Sequence, residues 1–339
     1  MGDLLMSTPA IRALKETFNS RITVLTSSMA AGIARNIPEI DETITFNVPW
    51  VKTAHASFSH DFLRMAEVLK EKQFDATIIF TVFSQNPMPA VMLAYLADIP
   101  KRLAYCRENP YALLTHWVPD EEPYTLIKHQ VERDLDLVKT VGATTSNDLL
   151  SLTIPDAWNS AQKKLHKNSI DLQKPWLILH PGVSEPKRQY PTESWIEVGK
   201  KLIHDFGYQL LLTGSASEKQ LTDEIKQGIG PQAFSIAGLL SLDEFICLVK
   251  EAPLLLSVNT GPIHLAAAAQ TPVVVLYAQT NPQHTPWKTR SKVLYFEVPE
   301  ALRSKNEVLK FVQQQEEKAP KKVAVDEVLE AVSTLLLAR

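Results

Sequence analysis

Residues 254–277, LLLSVNTGPIHLAAAAQTPVVVLY, constrain the fold more than any other part of the sequence. The apolar run Leu254–Val258 has the length and composition of a strand buried on both faces of a parallel sheet. A turn at residues 259–261 follows, and Pro262 is favoured in the first turn of a helix. A second apolar run, Val273–Tyr277, completes a strand–turn–helix–strand unit. Such units are typical of doubly wound α/β proteins.

The turn in this unit is suited to binding an anion. Thr260 or Gly261 can cap the helix, whose first N–H groups lack internal partners and carry the positive end of the dipole. His264, in the first helical turn, adds a side-chain donor. The sequence therefore predicts a phosphate-binding turn. The alternative is an ordinary strand–turn–helix connection, which every doubly wound protein contains.

Strand and helix patterns alternate along both halves of the chain, which predicts βαβ units around parallel sheets. Strands are predicted at residues 21–26, 44–48, 75–81, 102–105, 176–180, 209–213, 254–258 and 273–277. Helices are predicted at residues 9–18, 29–36, 59–71, 87–97, 128–141, 192–206, 218–227, 242–250 and 323–337. A polar segment, residues 157–174, separates the halves. We therefore expect two Rossmann-like domains with a cleft between them.

Length and composition narrow the class. A chain of 339 residues, 45% hydrophobic and 22% charged, fits two globular domains, and a net charge of −3 gives no reason to expect a nucleic-acid partner. Cys106 and Cys247 match no metal or redox spacing and are expected to be buried free thiols in a reducing cytoplasm. No signal peptide is visible, and no apolar run reaches the roughly 18–20 residues of a membrane span. The absence of GxGxxG and P-loop motifs disfavours nicotinamide and ATP-hydrolysing enzymes.

Several segments resemble the motifs of glycosyltransferase family 9, whose best-known members are ADP-heptose:lipopolysaccharide heptosyltransferases. The segments are GDLLMSTPAIRALK (2–15), HPGVSEPKRQYP (180–191), LLLTGSASEKQL (210–221), SIAGLLSLDEF (235–245) and NTGPIHLAAA (259–268). The resemblance implies the GT-B fold, two Rossmann-like doubly wound domains facing a cleft. Residues 1–155 would bind the acceptor and residues 172–322 the nucleotide sugar. A C-terminal helix, residues 323–339, would pack back on the N-terminal domain.

In the first domain the resemblance assigns Asp3 as the general base, which would take a proton from the attacking acceptor hydroxyl. Asp3 precedes a helix that Ser7 or Thr8 can cap and that Pro9 begins. The alternative role is to place a negative charge at this helix start. Family members normally carry a strand before the Gly-Asp pair, whereas this sequence begins directly before it. We therefore expect either a start farther upstream or a domain without that strand.

In the second domain the resemblance assigns a set of donor-binding residues. Arg188 stands where the family has a diphosphate-binding Lys, with Lys187 beside it, although a Lys-Arg pair is also common in solvated loops. Glu218 would contact the ribose or only favour a helix start, and Leu240 would border the base. Asn259 replaces an Asp that accepts hydrogen bonds from the donor sugar, so it can alter the sugar recognised. The assigned donor-binding residues are Ser184, Lys187, Arg188, Glu218, Leu240, Asn259, Thr260, Gly261 and His264.

The implied activity is inverting transfer of a sugar, heptose by analogy, from an ADP-linked nucleotide sugar to a lipid-linked acceptor of the lipopolysaccharide core. Such an acceptor implies a cytoplasmic protein working at the inner membrane, with peripheral association. No cofactor or metal is expected, because Asp134-Leu-Asp136 lies on a helix and offers only two carboxylates. The alternative is a non-catalytic nucleotide-sugar-binding paralogue, which Asn259 and the absent strand favour.

Overall fold

The computed structural model describes residues 1–50, 58–183, 185–278, 281–302, 307–315 and 322–337. The chain divides into two compact units. The first comprises Met1, Asp3–Ser151 and Asn306–Phe311, and the second comprises Gly2, Leu152–Lys305 and Val312–Arg339. None of the described helices is both long and apolar enough to cross a membrane.

Strands and helices alternate along most of the chain. The strands are β1 Thr23–Thr26, β2 Glu42–Thr45, β3 Ala76–Ile79, β4 Lys101–Cys106, β5 His116–Pro119, β6 Trp176–His180, β7 Gln209–Leu212, β8 Ala233–Ser235, β9 Leu255–Val258, β10 Val273–Ala278 and β11 Ser291–Phe296. The helices are α1 Gly2–Met6, α2 Thr8–Phe18, α3 Ser28–Ala34, α4 Ser59–Glu71, α5 Met88–Leu96, α6 Gln130–Lys139, α7 Trp158–Lys167, α8 Thr192–Phe206, α9 Lys219–Ile229, α10 Leu242–Glu251, α11 Gly261–Ala269, α12 Glu307–Gln315 and α13 Val325–Leu337.

The sheet of the second unit has six parallel strands in the order β11-β10-β9-β6-β7-β8. The chain starts at the centre with β6, runs outward to β8, returns to β9 beside β6 and runs outward again. This is the Rossmann strand order, and its direction reverses between β6 and β9. Ligands of such sheets bind at the carboxyl ends of the strands beside this reversal. The topology therefore directs attention to the loops after β6 and β9.

The strands of the first unit form two smaller parallel sheets. β1 pairs with β2, with Leu25 opposite Ile44, and β3-β4-β5 form a separate ladder in which Ile79 lies opposite Ala104. The predicted parallel α/β class is confirmed in both units. β5 was not predicted, because its sequence HWVP is short, is largely exposed and ends in Pro.

Helix α13 completes the core of the second unit. Its buried residues Val328, Val332 and Leu335 belong to the same apolar cluster as Tyr190 and Trp195. The helix contacts α8, β10 and β11, so its apolar stripe covers the sheet of its own unit. The sequence prediction that this helix packs on the N-terminal domain stays a prediction. The helical stripe was recognised, but a stripe does not identify the surface that it covers.

Helix α7 lies in the segment that we expected to be a polar connection. It buries Ala161 and Leu165 and packs against α10. Lys164 Nζ lies 2.7 Å from a carboxylate oxygen of Glu244, and Ser160 Oγ donates to the other oxygen at 2.6 Å. The sequence analysis did not predict this helix, because only two apolar positions mark its inner face.

Candidate functional site

A buried polar contact joins three strand ends at the reversal point of the second sheet. His180 Nδ1 and Thr213 Oγ1, at the ends of β6 and β7, are 2.9 Å apart. Ser257 Oγ, in β9, lies 3.4 Å from the His180 carbonyl oxygen and 2.9 Å from that of Val258. Burial lowers the pKa of His180 to about 4, although the nearby Glu218 carboxylate acts in the opposite direction. At neutral pH the imidazole is therefore uncharged.

Two glycines allow the loops above these strands to approach closely. A Cβ on Gly182, after β6, would lie 2.2 Å from Glu218 Oε1. Gly238, after β8, has a φ of +72°, and a Cβ there would come within 2.9 Å of the Ala216 Cα. A Cβ at residue 238 would meet backbone at a positive φ, so this turn requires glycine, whereas a Cβ at residue 182 would meet the end of the Glu218 side chain. The loops after β7 and β8 therefore meet through backbone, and the loop after β6 meets the Glu218 side chain.

Glu218 lies where these loops meet. Its Oε2 accepts hydrogen bonds from Ser215 N at 2.6 Å and from Ser215 Oγ at 2.8 Å. These bonds form a capping box before α9, so the predicted helix-start role is observed. Oε1 faces Gly182, on the side of the loop after β6. The sequence prediction that Glu218 contacts a ribose stays a prediction.

The two predicted cations, Lys187 and Arg188, share one carboxylate that sequence analysis did not single out. Lys187 Nζ lies 3.3 Å and Arg188 Nη2 lies 3.4 Å from Glu185 Oε2. Arg188 Nη1 also donates to the Asn259 carbonyl oxygen at 3.3 Å. This bond brings the loop after β6 to the turn after β9, across the reversal point. Together these three groups carry a net charge of +1.

The side chain of Asn259 is held by strand β10. Its Oδ1 accepts from the Ala278 N–H at 3.3 Å, and its side chain is also hydrogen-bonded to Tyr277. Burial raises the pKa of the Tyr277 phenol, against the opposing effects of Arg188 and Asn259. The phenol is therefore neutral. We expected this amide oxygen to meet a donor sugar, and the structure shows that it already accepts a backbone hydrogen bond.

Helix α11 begins one residue earlier than predicted, at Gly261, with extended Thr260 as its N-cap. The Thr260 hydroxyl lies 3.4 Å from the Val258 carbonyl oxygen and does not cap the helix. Thr260 and Gly261 are half-buried at the turn. His264 is only 6% exposed. Its expected role as a hydrogen-bond donor to a bound phosphate stays a prediction, and the imidazole would make that bond from a buried position.

Two further predicted donor residues have different outcomes. Leu240 is half-buried directly before Ser241, whose side chain accepts from Glu244 N in the predicted capping box of α10. Ser184 lies outside the described residues. The structure thus brings Arg188 to Asn259 and Glu218 to the loop after β6.

Asp3 is exposed and lies within the short helix α1, which the sequence analysis did not predict. The expected capping of α2 is also corrected. Ser7 has helical dihedral angles, and its hydroxyl donates to Asp134 Oδ2 at 2.6 Å. Thr8 Oγ1 donates to the Leu5 carbonyl oxygen at 2.7 Å.

The two carboxylates of the Asp-x-Asp segment lie in different environments on α6. Asp134 is buried, and this burial raises its pKa to about 7, opposed by hydrogen bonds from Ser7 and Gln130. Asp136 forms an ion pair with Lys128. Within the described ranges no three His, Cys, Asp or Glu side chains form a cluster that could hold a metal ion. The expectation that no metal is needed stays a prediction.

Sequence reasoning missed the residues that hold the site together. Glu185 is three residues from Arg188, a spacing at which charged side chains meet in a helical turn, so it could have been found. Tyr277 ends a buried strand, and its position gave no sign that it contacts Asn259. Gly238 could not be recognised as a required glycine from the sequence, because the atom that excludes a side chain there belongs to Ala216, which is distant in the chain.

The solved structures that this chain resembles confirm the GT-B fold predicted from the resemblance. The chain belongs to glycosyltransferase family 9 (heptosyltransferase), whose sequence model matches residues 62–318. It is 27% identical over 299 residues to lipopolysaccharide heptosyltransferase 2 of Escherichia coli K12, covering 84% of this chain and 82% of that protein.

Two solved structures show the same fold. A family 9 glycosyltransferase from Veillonella parvula matches with a TM-score of 0.78 and 19% identity, covering 100% of this chain and 94% of that one. The E. coli ADP-heptose lipopolysaccharide heptosyltransferase II matches with a TM-score of 0.74 and 22% identity, covering 99% and 96%.

Proposed function

We propose that this protein transfers a heptose-type sugar from an ADP-linked donor to an acceptor of the lipopolysaccharide core, with inversion at the anomeric carbon. The observation that carries the proposal is the Arg188–Asn259 contact at the sheet reversal, beside the start of α11. It gathers a guanidinium and a helix N-terminus where Rossmann-type sheets bind ligands. Family membership and the heptosyltransferase relatives support the choice of sugar and acceptor.

In this proposal the second unit binds the donor diphosphate. Arg188 and Lys187 supply positive charge, and the backbone of Gly261 and the hydroxyl of Thr260 supply hydrogen-bond donors. Negative charge grows on the diphosphate as the bond to the sugar breaks, so fixed cations there favour the transition state over the ground state. Two cations give this stabilisation without a metal ion. Ser184 and His264 complete the proposed donor set.

The nucleoside part of the donor would lie beside Glu218 and Leu240. Glu218 already uses Oε2 within its own capping box, which leaves Oε1 for a ribose hydroxyl. Leu240 provides apolar surface for a base but does not distinguish one base from another. The choice of ADP rests on the ADP-heptose that the related E. coli protein is described as using.

The first unit would supply the base. As the acceptor oxygen attacks the anomeric carbon, its proton moves to the Asp3 carboxylate. The bond from the anomeric carbon to the diphosphate oxygen breaks, and its electron pair leaves with ADP. Attack opposite the leaving group inverts the anomeric configuration. A lipid-linked acceptor would bring the protein to the cytoplasmic face of the inner membrane.

The test begins with the thermal stability of the whole chain in the presence of ADP-, GDP- and UDP-sugars and the free nucleotides. A ligand at about a hundred times its Kd adds about 2.7 kcal/mol of stability. We expect a shift with ADP-linked sugars. Arg188→Ala should weaken donor binding about tenfold to a hundredfold, since hydrogen bonds to charged groups are worth about 1.5–3 kcal/mol. Lys219→Ala, which removes an exposed ion pair with Asp223, is the matched control.

Transfer of labelled sugar to purified lipopolysaccharide-core acceptors then separates the two candidate functions. Transfer with inverted product configuration supports the proposal. A stability shift without transfer to any acceptor favours the non-catalytic alternative, for which the Asn259 substitution is the motivating observation. The absence of a shift with every nucleotide contradicts the donor site.

A further inference from the structure

A chain of four hydrogen-bonding groups connects the interior of the first unit to the helix that carries Asp3. Gln130 Nε2 donates to Asp134 Oδ1 at 2.8 Å, and Ser7 Oγ lies 2.6 Å from Asp134 Oδ2. Ser7 Oγ also lies 3.1 Å from the backbone carbonyl oxygen of Asp3. Gln130, Ser7 and Asp134 are buried, whereas the Asp3 side chain is exposed.

The Ser7 hydroxyl has one hydrogen and two acceptors within reach. When Asp134 is ionised, that hydrogen goes to the carboxylate, because a hydrogen bond to a charged oxygen is the stronger one. When Asp134 is protonated on Oδ2, the carboxylic acid donates to Ser7 Oγ. The hydroxyl hydrogen is then released to the carbonyl oxygen of Asp3. A single proton therefore decides which of the two bonds Ser7 makes.

Gln130 determines which carboxyl oxygen takes the proton. Its Nε2 also lies 3.3 Å from the carbonyl oxygen of Thr81, so the amide nitrogen faces two acceptors and the orientation of the amide is fixed. Asp134 Oδ1 accordingly faces an N–H donor and must remain an acceptor. A proton on this carboxyl group has to lie on Oδ2, the oxygen that faces Ser7.

The surroundings of Asp134 place its ionisation in the physiological range. Burial raises its pKa to about 7, and the negative charge of Asp3 acts in the same direction. The hydrogen bonds from Ser7 and Gln130 and the positive charge of Arg133, on the same helix, act in the opposite direction. Tyr105 of β4 also senses the charge of Asp134, and burial raises the pKa of that phenol to about 12, so it remains neutral.

We propose that Asp134 is a positioning residue for Asp3, and that its proton switches the Ser7 hydroxyl between helix α6 and the Asp3 carbonyl in α1. The switch changes the hydrogen bonding of the helical turn on which the proposed base is mounted. Asp134 does not touch the substrate in this scheme. The inference rests on the proposed role of Asp3, although the switch itself is a property of the first unit.

A spectroscopic measurement tests the switch without any activity. The whole chain is labelled with ¹³C at aspartate carbonyl and carboxyl carbons and titrated between about pH 5 and 9. We expect the Asp3 carbonyl resonance to shift with the same midpoint as the Asp134 carboxyl resonance. Ser7→Ala should abolish the Asp3 shift and raise the Asp134 midpoint, since the charged form loses a donor. Ser7→Thr should restore both. The proposal is overturned if the chemical shift of the Asp3 carbonyl does not change with the same midpoint as that of the Asp134 carboxyl group.

The pH dependence of kcat provides the second test, with Asp136→Asn as the matched control on the exposed face of α6. We expect a change of several-fold in wild-type kcat that follows the Asp134 midpoint. Asp134→Asn and Ser7→Ala should remove this change, whereas Ser7→Thr and Asp136→Asn should keep it. A change that persists in Asp134→Asn overturns the positioning role. If the wild-type protein transfers no sugar, the proposed function fails, and the carbonyl titration still decides whether the switch exists.

Discussion

The two units bury their sheets to different extents. Every residue of β6, β7, β9 and β10 in the second unit is buried, within one continuous six-stranded sheet. In the first unit no residue of β1, β2 or β3 is buried, β4 buries four of its six residues, and the strands are divided between two sheets. The same parallel architecture therefore rests on a deep apolar core in one unit and on a shallow one in the other.

The first unit has a buried ionic network beside its sheet. The Arg133 guanidinium makes two hydrogen bonds of 2.8 Å to Asp120 and one of 2.7 Å to Glu122, and it lies over the Tyr105 ring at 4.4 Å. Burial opposes the charge on Arg133, but the two carboxylates more than compensate, and its pKa is raised. Polar contacts thus help to hold together a unit in which β1, β2 and β3 bury no residue. The proposed base, Asp3, therefore belongs to the unit with more buried polar contacts, and the proposed donor site belongs to the unit with the larger apolar core.

The largest expected effect separates the chemical roles of the units. Asp3→Asn should lower kcat by about 10²–10⁴-fold, the usual contribution of a general base, with little change in donor affinity or in melting temperature. Asp3 is exposed, so the substitution leaves the core intact. Steady-state kinetics with the donor identified by thermal shift provides the measurement. A loss confined to donor binding would contradict the division of roles.

Arg133→Met tests the polar scaffold of the first unit. Removing the guanidinium takes away the ion pairs of the buried Asp120 and Glu122 carboxylates with Arg133, which should cost about 3–5 kcal/mol of unfolding free energy. Lys128→Met is the control, because its ion pair with Asp136 is partly exposed and should be worth about 1 kcal/mol or less. Urea unfolding followed by tryptophan fluorescence measures both. Equal costs for the two variants would argue against a network that supports the unit.

A pair of leucines compares the two sheets directly. Leu211 in β7 is fully buried, whereas Leu25 in β1 is 36% exposed. Leu211→Ala should destabilise the protein by about 2–5 kcal/mol, the usual range for a core leucine. Leu25→Ala should cost less, because part of its side chain is already in water. Calorimetry of both variants gives the comparison, and a larger effect at Leu25 would reverse our view of the two units.

The smallest expected effects have opposite signs in the two units. Asp134 binds its proton more tightly when folded, so wild-type stability should fall as pH rises from about 4 to about 7. Asp134→Asn should remove that part of the slope. In the second unit, hydrogen bonds from Lys164, Ser160 and the Ser241 backbone outweigh the effect of burial and lower the pKa of Glu244 to about 2.

Glu244 therefore contributes stability above its ordinary pKa of 4.5, and that contribution is lost as pH falls toward 2. Glu244→Gln should flatten only this acidic limb. Denaturation midpoints across the pH range, for wild type and both variants, make the comparison. A common slope in all three proteins would mean that neither carboxyl group is linked to folding.

The elements of the six-stranded sheet in the second unit were also predicted more accurately from the sequence. The predicted bounds of Trp176–His180 and Thr192–Phe206 agree with the structure, since a strand buried on both faces is a continuous apolar run and a long amphipathic helix has a clear period. β8 and β11 were missed, because edge strands are partly exposed and lose this signal. For the site, the motifs identified the turns in advance. The side-chain partners of Asn259, Tyr277 and Ala278, could not be predicted, because they lie in β10 and depend on how the strands are ordered.

The glycine turns after β6 and β8 have a consequence for how such a site can change. At residues 182 and 238 even one methyl group meets an atom that is already in place, so substitutions there disturb the loops whatever their chemistry. Asn259 differs, because its side chain is fixed by hydrogen bonds with Tyr277 and Ala278 that other polar residues can imitate. Directed evolution toward new donors should therefore keep the glycines unchanged and accumulate its substitutions at residues 259 and 277.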